Sequence, residues 1–428
     1  MKKIVLILCW FIPVLANAQI QFQNFENWQE VLNKAKESHK NIFVDAFTTW
    51  CGPCKQMEKE VYPNAQVGEF VNSNFIAVKV QFDQTDRDVE QIKNWYADSK
   101  YLLEHYYIEA FPTFLFISPE GGLLQREVGY QDADKFLILL KQANDTEQNY
   151  AGKVKAFKAG KFPNNELLSL ALKAKENHQE TLALEIAKQY KKRFIDQSKP
   201  EKAINDLLPS FISDFYSLLS AHDPIIKFMY HKPVLADSMM RIKGYARRVS
   251  DNLIANELIN SIIRPHGNYI STLPDWGAIE KKITKTYDPK TARRLVVGAK
   301  LGWYNYTKDW NNVIKYNIEQ LESEGLDTVG MAAVGINNLS YNVIFQHSND
   351  PYALNKAIGY MELILKNNPT RDNWLDTYAN LLYKVGRKEE AIKHEEIALS
   401  MAKKNNRNNV QIFEEVLRKM HENRPTWE

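Results

Sequence analysis

Two cysteines, Cys51 and Cys54, stand two residues apart in the segment Asn41-Ile42-Phe43-Val44-Asp45-Ala46-Phe47-Thr48-Thr49-Trp50-Cys51-Gly52-Pro53-Cys54-Lys55. Thiols at this spacing can close a disulfide and exchange it with another, or supply half of a tetrahedral zinc site. Zinc needs two more ligands. The third cysteine, Cys9, lies in the amino-terminal segment, and the His residues are scattered singly with no HxxxH or HExxH cluster. Redox exchange is therefore the stronger reading, with no metal and no cofactor. Residues 42–47 are apolar apart from Asp45 and predict a buried strand. Gly52-Pro53 then turns the chain into a helix carrying Met57, Val61, Val67, Phe70 and Val71, interrupted at Pro63. Cys51 falls at the helix N-terminus, where unpaired N–H groups and the helix dipole favour a thiolate. Pro53 is tolerated because the first turn needs no N–H from it. Cys54, one turn in, is expected beneath Cys51 and less exposed.

The 428 residues are too many for one compact core, and an apolar share of 44% is that of an ordinary folded chain. With 55 Lys+Arg against 52 Asp+Glu, the net charge of +3 gives no case for nucleic-acid binding. Residues 1–18 read as a signal peptide: basic Lys2-Lys3, an apolar run from Ile4 to Leu15, and small residues in Ala16-Asn17-Ala18 before a cut at Gln19. The run is short for a membrane anchor, and Leu8 before Cys9 does not suit a lipoprotein signal. Export removes Cys9 and leaves Cys51 and Cys54 as one close pair, placed for chemistry rather than for stapling a fold.

The motif resembles the thioredoxin superfamily. Trp50-Cys51-Gly52-Pro53-Cys54-Lys55 follows a buried strand with Asp45 six residues before the first cysteine, and Phe111-Pro112-Thr113-Phe114-Leu115-Phe116 matches the superfamily's cis-proline segment. The stretches 55–67 and 74–80 are similar to an exported bacterial branch that includes the C-terminal domain of the membrane thiol:disulfide interchange reductase. The resemblance implies roles for particular residues. Cys51 is the attacking thiolate, Cys54 the resolving thiol and Asp45 the acceptor of the Cys54 proton. Lys79 is either a neighbour that tunes Asp45 or a solvated strand-end lysine. Pro112 is expected to be cis and to keep metals off the thiols, presenting the Phe111 backbone to substrate with Thr113 following. Trp50, Gly52 and Pro53 are expected at the substrate surface. A thioredoxin-like domain over 19–145 is predicted, with a first strand over Ile20 to Phe25, a helix over Trp28 to Glu37, a central strand over Asn74 to Phe82, a hairpin around Gly121-Gly122, a closing helix over Asp132 to Ala143, and one extended helix between Asp83 and Tyr107.

Beyond Asn144 strand alternation gives way to helical periodicity. Residues 146–286 read as a helical domain without a clean period, and 287–428 as helical repeats resembling the tetratricopeptide (TPR) pattern. Ala357-Ile358 recurs 34 residues later as Ala391-Ile392, with a degenerate copy at Val313-Ile314 and an insertion near Glu322 to Val329. The fold class expected is an α/β thioredoxin-like fold followed by an all-α helical-repeat domain. The function expected is a periplasmic thiol–disulfide oxidoreductase, reducing disulfide-containing client proteins. It is re-reduced by a membrane thiol electron donor, through which alone it would touch a membrane, and its helical region selects partners. The alternative is a TPR-type scaffold that uses the thioredoxin fold as a docking module.

Overall fold

A computed structural model describes residues 19–427 apart from 406 and 409; the expected signal peptide, 1–18, lies outside the described residues. The chain opens with α1 (Trp28–Ser38), capped by Asn27, whose side chain accepts from the Glu30 N–H at 3.0 Å. There follow β1 (Asn41–Phe47), α2 (Gly52–Gln56) running into a π-helical turn (Met57–Val61), α3 (Ala65–Asn74), β2 (Phe75–Gln81), α4 (Glu90–Asn94), α5 (Tyr96–His105), β3 (Thr113–Ile117), β4 (Leu123–Val128) and α6 (Ala133–Asn144). The strands form one sheet in the order β2-β1-β3-β4. β1 runs parallel to β2 and antiparallel to β3, and β3 is antiparallel to β4. Alternation along β1 sends Ile42, Val44 and Ala46 to one core, with Trp28, Val31 and Leu102, and Phe43 to the other, with Met57, Val61, Tyr62 and Phe136. Each such large side chain contributes about 1.5–3 kcal/mol by leaving water.

Two expectations need correction. Residues 20–25 form no strand. The Ile20 N–H is given to the Tyr62 carbonyl and the Gln23 N–H to Ala77 on β2, bonds too widely separated to make a ladder. The span from Asp83 to Tyr107 is not one helix but a loop and two helices. Asp88 accepts from Gln81, Thr85 and Tyr96, which holds the loop open until Glu90. α4 and α5 are then divided at Trp95, whose indole donates to the Phe25 carbonyl at 2.8 Å.

Further helices are α7 (Tyr150–Lys158), α8 (Leu167–Glu176), α9 (Glu180–Tyr190), α10 (Pro200–Ala203), α11 (Leu208–Asp214), α12 (Pro224–His231), α13 (Pro233–Met240), α14 (Tyr245–Ala255), α15 (Ser261–Ile263), α16 (Trp276–Thr286), α17 (Pro289–Thr307), α18 (Trp310–Glu324), α19 (Gly330–Asn338), α20 (Pro351–Asn367), α21 (Asp372–Lys384), α22 (Lys388–Lys404) and α23 (Val410–His421). The described chain forms two compact units. One runs to Leu219 with Asp223–Ile225 and Ser238–Arg241; the other holds Ser220–His222, Ile226–Asp237 and the chain from Ile242 on. No helix of the described residues is long and apolar enough to cross a membrane.

In the first unit α7 and α8 lie against β4. The Tyr150 N–H donates to Gln125 at 2.9 Å, and Lys173 pairs with Glu127 at 3.1 Å. Gly152 is required where the preceding turn folds over α7, since a Cβ there would stand 2.0 Å from the Thr146 carbonyl oxygen. In the second unit Ala357 on α20 and Ala391 on α22 are fully buried in one core with Tyr378 and Ala379 of α21. The extra residues between Val313-Ile314 and Ala357-Ile358 are shared between the 325–329 loop and a long helix, α19 continued by the π-helical stretch Leu339–Phe345. A pair of carboxyls, one on α21 and one on α22, interrupts this apolar packing. Glu395 on α22 is fully buried, and neither carboxyl oxygen has a hydrogen-bond partner among the described residues. Burial, with Asp376 of α21 beside it, holds its pKa well above the usual carboxylate range.

Candidate active site

β1 delivers the chain to the thiols. It ends at Phe47, and Thr49 is fastened by its N–H to Asp83 at 2.9 Å and by a second, short bond from its hydroxyl. Cys51 is the N-cap of α2, its sulfur accepting from the Cys54 N–H at 3.1 Å. Pro53 sits in the first helical turn, where its missing N–H costs nothing. Cys51 and Cys54 are joined, S–S 1.99 Å and Cα–Cα 5.3 Å, and each is 2% exposed. Gly52 and Pro53 between them are exposed. The expectation that Cys54 is the more hidden of the two therefore does not hold in the disulfide form.

The opposite wall comes from β3. The Phe111–Pro112 peptide is cis, Pro112 is buried, and the Thr113 hydroxyl donates to the Ala110 carbonyl at 2.7 Å. Because Ala46 is in register with Thr113, the end of β1 and the start of β3 lie side by side, bringing Pro112 to the end of the sheet that carries the cysteines. Aromatic rings close the arrangement. Trp50 is 70% exposed and meets Phe111 edge-on at 6.2 Å, and Phe111 in turn meets Phe82 at 5.6 Å. An exposed indole beside a buried disulfide is a surface onto which an extended chain can lie.

Asp45 lies on the face of β1 that packs under α2 and its π-helical extension, is 1% exposed, and has an Oδ1 without a hydrogen-bond partner. Burial pushes its pKa up to about 7. Tyr62 and Lys79 pull the other way, and Glu58 adds a little to the rise. Lys79 stands opposite Asp45 in the β1–β2 register, is ion-paired with Glu58 and lies 4.2 Å from the Phe47 ring centroid. It is thus neither freely solvated nor bound to Asp45. Tyr62 and Glu58 were not apparent from the sequence. The signal available was the helical spacing from Cys54, which places residues 58 and 62 on one face of the π-extended helix. Among the described residues no cluster of His, Cys, Asp and Glu could hold a metal ion. What the arrangement can do chemically is hold a thiolate at a helix N-terminus, form and open one disulfide, and accept a proton near neutrality.

A family of proteins described as the thioredoxin-like domain matches residues 28–144. Among curated relatives, the thiol:disulfide interchange protein DsbD of Photorhabdus laumondii is 28% identical over 134 residues, covering 30% of this chain and 21% of that protein. The H-type thioredoxin of Oryza sativa subsp. indica is 28% identical over 127 residues, 30% of this chain and 88% of the relative. The chain thus spans about a fifth of the DsbD proteins it matches. Among solved structures, a putative disulphide-isomerase from Bacteroides thetaiotaomicron is 32% identical with a TM-score of 0.25, covering 30% of this chain and 96% of that one.

Proposed function

Residues 28–144 belong to the thioredoxin-like domain family, and on that premise we propose that this chain is an exported thiol–disulfide oxidoreductase, reducing client-protein disulfides through Trp50-Cys51-Gly52-Pro53-Cys54. The observation that carries the reading is the joined pair at the start of α2 above a buried carboxyl whose pKa is about 7. In the reduced protein the Cys51 thiolate attacks one sulfur of a client disulfide. The other client sulfur leaves as a thiolate and takes a proton from water, and a mixed disulfide remains. Cys54 passes its proton to the Asp45 carboxylate and attacks the Cys51 sulfur. The second client sulfur leaves as a thiolate and takes up a proton, returned to it from Asp45 directly or through water, and the Cys51–Cys54 disulfide remains. Two electrons pass from the protein to the client. A thiol donor at the membrane then restores the dithiol by the same exchange in reverse, with the protein in the periplasm. Trp50, Gly52, Pro53 and Phe111 form the client surface, Pro112 shapes it, and the TPR-like helices of the second unit bind the partner. Thr113, expected at that surface, is fully buried with its hydroxyl bonded to the Ala110 carbonyl and supports it from beneath.

The test is a trap. Cys54→Ser should accumulate mixed disulfides between Cys51 and exported proteins, visible on non-reducing gels and lost with dithiothreitol. The Cys51→Ser variant should accumulate none. An empty trap with folded Cys54→Ser protein would refute the enzyme reading and leave the scaffold alternative.

A further inference from the structure

Away from the thiols, the second unit carries a cleft of about 810 Å³ between α14 and α17, bounded at one end by Gln320, Ser323 and Glu324 of α18. Its charge is strongly cationic: Arg247, Arg248, Lys290, Arg293 and Arg294 line it against Asp251 and Glu324. Two of these cations are already paired. Arg294 holds Asp251 in a two-bond fork at 2.8 and 2.9 Å, and Arg293 binds Glu319 at 2.6 Å through its Nε. Arg247, Arg248 and Lys290 make no ion pair among the described residues, and Arg248 only lies over the Tyr245 ring at 5.5 Å. Two glycines of α17 thin the floor. Gly298 is exposed, and a Cβ there would meet nothing within 4 Å. At Gly302 a Cβ would stand 2.6 Å from the Tyr269 hydroxyl, so the tyrosine can lean over α17 only because that residue is glycine.

We propose that this cleft binds an acidic peptide segment of a partner protein. The unpaired cations stand on two different helices, so a string of carboxylates can engage both walls, whereas one small anion engages one. Asn252, Asn260 and Gln320 line the same space, and their amides both donate and accept, as a peptide backbone requires. A nucleic-acid backbone has no N–H to offer them. The inference rests on the proposed function only in taking the partner to be a client.

The test uses the full exported chain, oxidised, and a fluorescein-labelled ten-residue Glu/Gly peptide without cysteine, read by fluorescence anisotropy. Binding should saturate, weaken with added salt, and be absent for a Lys/Gly peptide. The double variant Arg247→Glu/Lys290→Glu should bind about tenfold more weakly or worse, because attraction of both walls for the carboxylates becomes repulsion. Gly298→Gln should also block the cleft while improving helix propensity, so that loss of binding is not loss of folding. In both variants turnover of a small disulfide should be unchanged. The proposal is overturned by absence of saturable binding, by equal affinity in the wild type and both variants, or by inorganic phosphate or an oligothymidylate competing as well as unlabelled peptide. Since the probe carries no thiol, a failed mixed-disulfide trap with intact peptide binding would sink the enzyme reading alone.

Discussion

Replacing Asp45 by Asn should make the oxidised thioredoxin-like domain more stable at neutral and alkaline pH, by an amount fixed by burial. The carboxyl goes from 3.8 to about 7 on folding. At ~1.4 kcal/mol per pH unit, that is about 4 kcal/mol of stability present when the group is protonated and absent once it ionises. The sign follows from the raised value: stability is full below the unfolded pKa, falls as pH rises toward 7, and is flat above. Asn keeps the shape and cannot ionise, so the variant and the wild type should be alike near pH 4 and differ by up to about 4 kcal/mol at pH 8. With a urea slope of ~2 kcal/mol/M, the midpoint should differ by about 2 M. Because the chain has two compact units, the assay is hydrogen exchange of peptides covering β1 and β2, followed through urea titrations at pH 4, 5, 6, 7 and 8. A difference of the same size at every pH would refute the reasoning. The benefit would come from something other than the buried charge.

Two further outcomes follow from groups outside the thiol site. Glu395 has a pKa raised by burial and by Asp376, so the second unit should lose stability as pH rises from about 4.5. Glu395→Gln should flatten that slope above about pH 6, leaving below it the part due to Asp376, whose own pKa burial raises to about 6. Urea unfolding read by hydrogen exchange in α21 and α22 checks it, and an unchanged slope above about pH 6 would show that the Glu395 carboxyl is not buried as described. Gly152→Ala should destabilise the packing of α7 on β4 by about 1–3 kcal/mol, because the clash is with backbone and cannot be relieved by a rotamer. Faster exchange in 145–160 is the expected signature, and wild-type rates would contradict it.

The thiol region was legible because its signals are local. β1, the helix start at Cys51 and the break before Asn64 follow from apolar runs, a Gly-Pro turn and Pro63, each fixing only its own neighbours. The sheet order β2-β1-β3-β4 follows from no periodicity in the sequence, and the family resemblance implied only the thioredoxin-like fold as a whole. The misread parts depend on distant partners. Residues 20–25 look like a strand, but what decides them is whether the edge of β2 offers a full row of bonds, and only Ala77 is used. The 83–107 span has helical spacing, yet Asp88 binds Gln81, Thr85 and Tyr96 and unseats its first turn. Tyr62 and Glu58 act on Asp45 through space, so no spacing rule marks their effect, although both lie on a helix that was foreseen. The cationic cleft was invisible for another reason: total charge near neutral hides a cluster assembled from α14 and α17, some 40 residues apart in sequence.

Both margins of the four-stranded sheet are partly covered. At β2 the Gln23 N–H occupies the Ala77 carbonyl, and at β4 the α7–α8 region lies alongside, with Tyr150 on Gln125 and Lys173 on Glu127. An open strand margin is a template on which a second chain can add hydrogen bonds. A partially unfolded client, with its own unsatisfied strands, is the kind of molecule most apt to use one. On the function proposed above, the Gln23 bond and the α7–α8 region shorten the stretch of either margin open to such a client, so that its hold falls mainly to one exchangeable sulfur bond and to side-chain contact at Trp50 and Phe111.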